Sequence, residues 1–142
     1  MSIILAQTDT TVGFLSQDPT ALVALKGRDS TKPFVKVFSS FKELNKTQRV
    51  PLEHRTFVRH AKKTTFIIQN NAYRVVKNHP HARLIEHYRW LYSTSANESG
   101  KEYDEYFCRT NTDIIIEDSR GFITSKPSKI LKLTSTHSQK LR

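Results

Sequence analysis

The chain has 142 residues, 37% of them apolar, which suits one domain with a single ordinary core under a strongly polar surface. Lys and Arg number 23 against 13 acids, a formal net charge of +10, so its field either concentrates anions such as nucleotides, pyrophosphate or RNA, or serves solubility alone. The lone Cys108 excludes an internal disulfide and argues against a zinc knuckle, and no apolar run nears the roughly 18 residues of a membrane span. Ser2–Ala6 is too short for a secretion signal and lacks a basic flank, so a cytoplasmic protein without membrane contact is expected.

In chain order, Ser2–Ala6 is expected as a buried strand running into a polar loop, Gln7–Gly13. Asp18-Pro19 predicts a helix start, with Asp18 as N-cap, Ala21, Leu22 and Leu25 inward, and Gly27 as the stop. Phe34–Phe38 alternates as an amphipathic strand does, and Ser40-Phe41-Lys42-Glu43 fits a capping box opening a second helix. Thr64–Ile68 and Ala72–Val76 flank Gln69-Asn70-Asn71 and predict a hairpin. Pro80 starts a helix carrying Leu84, Ile85 and Tyr88 inward, and Leu91–Ser93 returns as a strand into Thr94–Gly100. Glu102–Arg109 is expected as a short helix, and Asp113–Ile116 and Ile130–Leu133 as late strands. Alternating elements with a hairpin predict one α/β (α+β) domain over 1–142, a twisted mixed sheet flanked by helices.

Three polar segments sit at the ends of these elements. Lys26-Gly27-Arg28 follows a helix, and two cations one residue apart can converge on one anion; equally, helix-end cations answer the macrodipole. Two like charges beside a glycine are expected to serve a ligand more than the fold. In Ser93–Gly100, Ser95 and Asn97 lie two apart, so an extended chain presents hydroxyl and amide to one side; an ordinary polar turn has the same composition. Thr8-Asp9-Thr10-Thr11-Val12-Gly13 supplies hydroxyls that serve a cap as readily as a ligand. His79, His81 and His87 lack a carboxylate that completes a metal-ligand pattern, and Cys108 reads as a small packed residue.

Taken in order, these segments resemble the YrdC/TsaC-like threonylcarbamoyl-AMP synthase family. Its P-T-[DE]-T-x-Y-G-L segment corresponds to Gln7–Phe14, its K-x-R followed by K-P to Lys26-Gly27-Arg28 with Lys32-Pro33, and its S-x-N-x-S-G to Ser95–Gly100. A late P-S-T corresponds to Pro127-Ser128-Lys129, R-V-P to Arg74-Val75-Val76, and Arg142 stands for a basic residue near the end. The family's first proline is Gln7 here, its tyrosine Val12 and its late threonine Lys129.

The resemblance implies a YrdC/RibB-like fold with a basic concave cavity. It also implies synthesis of threonylcarbamoyl-AMP and pyrophosphate from L-threonine, bicarbonate and ATP, with Mg²⁺, for threonylcarbamoyladenosine in tRNA. Lys26 and Arg28 would neutralise the reacting anions as the catalytic pair. Thr8 and Thr10 would help seat threonine, and Ser95, Asn97 and Ser128 would orient phosphates, with Arg74 and Arg142 as further binding residues. Partners would be tRNA or another RNA and a downstream threonylcarbamoyl-transferase complex. The alternative is a nucleotide- or RNA-binding protein of the same fold without synthesis.

Overall fold

A computed structural model describes residues 2–27 and 33–142; Arg28 and Lys32, both singled out in the sequence, lie outside the described residues. Among the described residues nine strands form one mixed sheet in the order β7-β1-β2-β6-β3-β5-β4-β8-β9. They are β1 (Ile4–Gln7), β2 (Val12–Ser16), β3 (Val35–Phe38), β4 (Thr64–Ile68), β5 (Asn71–Val75), β6 (Trp90–Ser95), β7 (Ile114–Ile116), β8 (Lys129–Leu133) and β9 (Ser138–Lys140). Pairs β1–β7, β3–β5 and β4–β8 are parallel and the rest antiparallel, as the alternation of elements predicted.

Local chemistry sets the helices. The α1 helix (Pro19–Lys26) begins where Asp18 accepts the Thr20 N–H at 3.0 Å, and it ends where Gly27 enters the left-handed region at φ 63°, its N–H bonding Val23 O. The α2 helix (Phe41–Thr47) is capped by Ser40, which accepts from Glu43 N; the Glu43 carboxylate turns to Lys46, so the box is half formed. In α4 (Pro80–Tyr88), His79 Nδ1 accepts the His81 N–H. The α5 helix (Glu105–Thr110) starts three residues later than expected because Asp104 is its cap.

Three elements escaped the sequence. The stretch expected as a loop, Gln7–Gly13, is shorter than that: β1 runs to Gln7 and β2 starts at Val12, leaving a four-residue turn, and β2 itself was not foreseen. A short helix, α3 (Arg55–His60), follows a 3-10 turn at Leu52–His54, and β9 forms a late edge. The β4–β5 hairpin is tighter than expected. Only Gln69 and Asn70 turn, both at positive φ, and Asn71 already belongs to the strand.

Side-chain alternation divides the sheet into two faces. On the first, Ile4, Leu15, Val37 and Leu91 pack under α4 through Ile85, Ala82 and Leu84. On the second lie two separate groups. One sets Leu5, Val12 and Phe14 against Leu22 of α1 and Cys108 of α5; the other sets Phe66, Val75 and Phe38 against Leu44 of α2 and Val58 of α3. Each fully buried Phe or Leu here is worth about 2 kcal/mol of transfer free energy. Among the described residues no helix is long and apolar enough to cross a membrane.

Gly13 of β2 pairs with Ser95 of β6. A Cβ there would stand 2.9 Å from Thr8 Cγ2 and 3.0 Å from the Thr94 carbonyl oxygen, which its strand pairing holds in place. Gly13→Ala is expected to cost about 1–3 kcal/mol by overpacking, read as a lower urea midpoint at unchanged slope.

Candidate functional site

The first face of the sheet is covered by α4 over only part of its area. Beside it a cavity of about 400 Å³ opens over Val35, Ile67, Arg74, Ser93 and Ser95, rimmed by Thr8, Thr10, Ser128 and Arg142. Its polar groups are mainly hydroxyls and two guanidinium groups, suited to oxygen-rich anions, set among apolar Val35, Ile67, Pro127 and Ile130.

One hydrogen-bonded chain organises it. Asp9, in the β1–β2 turn, accepts from Arg74 Nη1 at 3.2 Å, and the same nitrogen reaches Thr10 Oγ1 at 3.3 Å. Arg74 Nε donates to Thr65 Oγ1 at 3.2 Å, and Thr65 Oγ1 lies 2.8 Å from Ser128 Oγ. Arg142 Nε donates to the Ser128 carbonyl at 2.9 Å, with Nη2 3.4 Å from Ser128 Oγ. The Asp9 and Arg74 side chains are only 8% and 9% exposed, so this is a buried ion pair. Burial pushes the guanidinium below its ordinary range and nearby Arg142 adds to that, while the Asp9 charge and hydrogen bond oppose it. Arg142 is exposed and has no carboxylate partner among the described residues.

The threonine turn is fixed from both sides. Thr8 Oγ1 accepts the Thr10 N–H and donates to the Thr11 carbonyl. Residues 117–128, the long connection from β7 to β8, lie against it: Gln7 Oε1 accepts from Ile123 N at 2.7 Å, Val12 N donates to Ile123 O, and Ser125 Oγ donates to Thr10 O at 2.6 Å. Gln7, where the resembled family has proline, is therefore an anchor. Val12, in place of its tyrosine, is 1% exposed and packs on the opposite face, giving the cavity nothing.

The structure gathers Lys26, Ser95 and Asn97 into a second cluster. Lys26 Nζ donates to the Ser95 carbonyl at 2.9 Å and to Asn97 Oδ1 at 3.0 Å, and the Ser99 N–H bonds the Lys26 carbonyl. Ser95 lines the cavity, whereas Lys26 and Asn97 stand behind its wall. Lys26 is 4% exposed, and its ammonium ties α1 to the turn after β6, so it has a structural role beside any role toward a ligand. Asn97 Nδ2 closes that turn by donating to the Glu98 and Lys101 carbonyls.

Asp9 and Thr65 were missed as site residues. Asp9 stood between two singled-out threonines, and a lone acid at a strand end in so basic a chain was the available signal; nothing distinguished Thr65 from any strand threonine. Cys108 is buried and donates to the Ala96 carbonyl, with burial pushing its thiol up, which fits a packed residue. Among the described residues no three His, Cys, Asp or Glu side chains converge on a metal position.

Residues 2–142 match the Sua5/YciO/YrdC family model, described as "Telomere recombination". The chain belongs to that family. The fold is similar to two structures of P. abyssi Sua5, one a double variant (TM-score 0.82) and one complexed with L-threonine (0.81), each at 21% identity. Both alignments cover 99% of this chain and about half of the Sua5 chain, 52% and 50%. E. coli YciO is similar at 19% identity and TM-score 0.79, with 99% of this chain and 82% of YciO covered. No curated protein matches the chain. The architecture and family expected from the sequence motifs are thereby established.

Asp9→Asn keeps the shape but leaves the buried Arg74 charge without its partner. A loss of about 3 kcal/mol is expected in denaturant unfolding, the low end for a buried pair because Arg74 borders the cavity. Arg74→Met in the Asp9→Asn background should recover part of that loss.

His81, within electrostatic reach of the Asp9–Arg74 pair, is 3% exposed, and its Nδ1 lacks a hydrogen-bond partner among the described residues. Burial lowers its imidazole from 6.5 to about 4, with Arg74, His79 and Arg120 reinforcing and Asp9 opposing. The folded state thus resists a proton that the unfolded state accepts. Stability should be full above about pH 6.5 and fall as pH drops toward 4, by up to about 3 kcal/mol. His79, lowered by burial and then by Arg120, acts in the same direction. Urea titrations across this window should show the fall, and His81→Gln should flatten it.

Proposed function

We propose that this domain makes threonylcarbamoyl-AMP and pyrophosphate from L-threonine, bicarbonate and ATP. The observation that carries this reading is the continuous Asp9–Arg74–Thr65–Ser128–Arg142 chain lining a cavity of about 400 Å³ in a Sua5/YciO/YrdC domain. The L-threonine complex of the similarly folded Sua5 supports threonine as the small substrate.

In this reaction the threonine amine combines with bicarbonate to give a carbamate and water. A carbamate oxygen then attacks the α-phosphorus of ATP, forming a P–O bond as the bond to the β-phosphate oxygen breaks and pyrophosphate departs. No protein nucleophile is required. The difficulty is electrostatic, since a carbamate must approach a polyphosphate. Arg142, exposed at the rim and without a carboxylate partner among the described residues, neutralises incoming phosphate. Arg74, already held by Asp9, presents a fixed and largely compensated dipole to the smaller substrate. Hydroxyls of Thr8, Thr10, Ser95 and Ser128 orient the oxygens. Lys26 and Asn97 act by fixing Ser95; Arg28, the other member of the expected basic pair, lies outside the described residues. The described residues offer no carboxylate cluster for a protein-held metal, so Mg²⁺ enters as part of the ATP substrate. The product would pass to a threonylcarbamoyl-transferase acting on tRNA.

A second reading, a nucleotide- or RNA-binding domain without synthesis, is supported by one observation: the net charge of +10 draws polyanions whether or not synthesis occurs. Pyrophosphate release separates the two. Release is expected only when ATP, threonine and bicarbonate are all present, and Arg142→Ala and Ser128→Ala should each slow it at least tenfold. Release indifferent to threonine would point to another acceptor. No release from well-folded protein would favour the binding domain.

A further inference from the structure

On the second face of the sheet the two helical groups do not meet. Between Pro19 and Val23 of α1 and Thr47 of α2, a separate cleft of about 320 Å³ reaches the central strands. Its floor is a cross-strand row: Lys36 on β3 is directly opposite Tyr92 on β6 and Tyr73 on β5. The next row sets Phe38 against Trp90. The Lys36 ammonium stands 4.0 Å from the Trp90 ring centroid, and 5.8 and 5.9 Å from those of Tyr92 and Phe38. Among the described residues it has no carboxylate partner and no hydrogen-bond acceptor, and the Tyr92 hydroxyl is likewise unpaired. Ring faces attract an ammonium, but they accept none of its three N–H groups well and do not neutralise it. Burial accordingly lowers the Lys36 pKa.

We propose that this cleft is a second ligand site, one that takes a nucleotide: phosphate on Lys36 and the Tyr92 hydroxyl, base against the tyrosine faces. The positive centre selects an anion, and the aromatic row selects a flat ring. Stacking of a base on such a ring is worth about 1–3 kcal/mol, and the cleft is of nucleotide size. Thr47 and Asn71 place polar groups at the edge for the base. The cleft shares Pro33, Asn71 and Ala72 with the first cavity, so the two open at the same end of the sheet from opposite faces. The nucleotide's source is either a free mononucleotide or the end of an RNA strand.

Trp90 is the single tryptophan in the chain, and Lys36 covers its ring, so its emission reports on this cleft. The full chain is titrated with AMP and, separately, with a hexauridylate oligonucleotide. A saturable change in Trp90 emission is expected with one or both. A response to AMP assigns a free nucleotide, and a response to the oligonucleotide alone assigns a strand end. Lys36→Met should weaken binding at least tenfold by calorimetry. Tyr92→Phe, which removes one hydroxyl and keeps the ring, should weaken it severalfold at an unchanged melting temperature. Arg142→Ala, at the other cavity, should leave the Trp90 response intact. No response to either probe overturns the proposal, as does full binding in Lys36→Met or loss of the response in Arg142→Ala. Pyrophosphate release reads the first cavity alone, so either reading can fail without the other.

Discussion

A guanidinium that has lost nearly all its water needs a fixed counter-charge, and in this protein the Asp9–Arg74 pair supplies it across 65 residues of chain. The pair joins the first turn of the sheet to β5, three strands beyond β2. Thr10 and Thr65 fill two further donor directions of the guanidinium, which makes the geometry rigid and not merely attractive. Rigidity matters because Thr65 and Ser128 pass the constraint on to Arg142. Such a pair adds little net stability over an apolar substitute. Its worth lies in holding a polar wall at one position while leaving the second arginine for a ligand.

The two faces of the sheet solve different problems. On the first, a single helix covers part of the surface, and the uncovered remainder holds the cavity with its hydroxyls and guanidiniums. On the second, two groups of helices cover the flanks and leave a seam over the middle strands. That seam explains how a lysine comes to stand among Trp90, Tyr92 and Phe38 at the centre of a sheet, where burial on both sides would exclude it.

Short-range chemistry was the legible part. Asp18-Pro19 and Gly27 bound α1, the asparagines turned the β4–β5 hairpin, and the ordered motifs carried the family. The β2 strand was hidden because its residues, Val12-Gly13-Phe14-Leu15-Ser16, are buried on both faces and show little alternation. The α3 helix was hidden because a basic six-residue helix has almost no amphipathic signature, with only Val58 fully buried. At the site, motif spacing found the threonine turn, Arg74 and Ser128, but it could not say which cations face the cavity. Lys26 sits in the same motif as Arg28, and its inward course depends on the Ser95–Asn97 turn arriving from β6. The Asp9–Arg74 partnership is likewise a property of the strand order, which no local pattern encodes.

The connection from β7 to β8 has a consequence for how the protein folds. The β1 strand pairs with β7, Ile3 bonds Asp113, the threonine turn is held by Ile123 and Ser125, and Ser128 bonds Arg142. The clamps on β1 and on the threonine turn therefore close loops of 110 to 116 residues. Contacts of such sequence separation form late in folding, because closing long loops costs entropy before the contact is made.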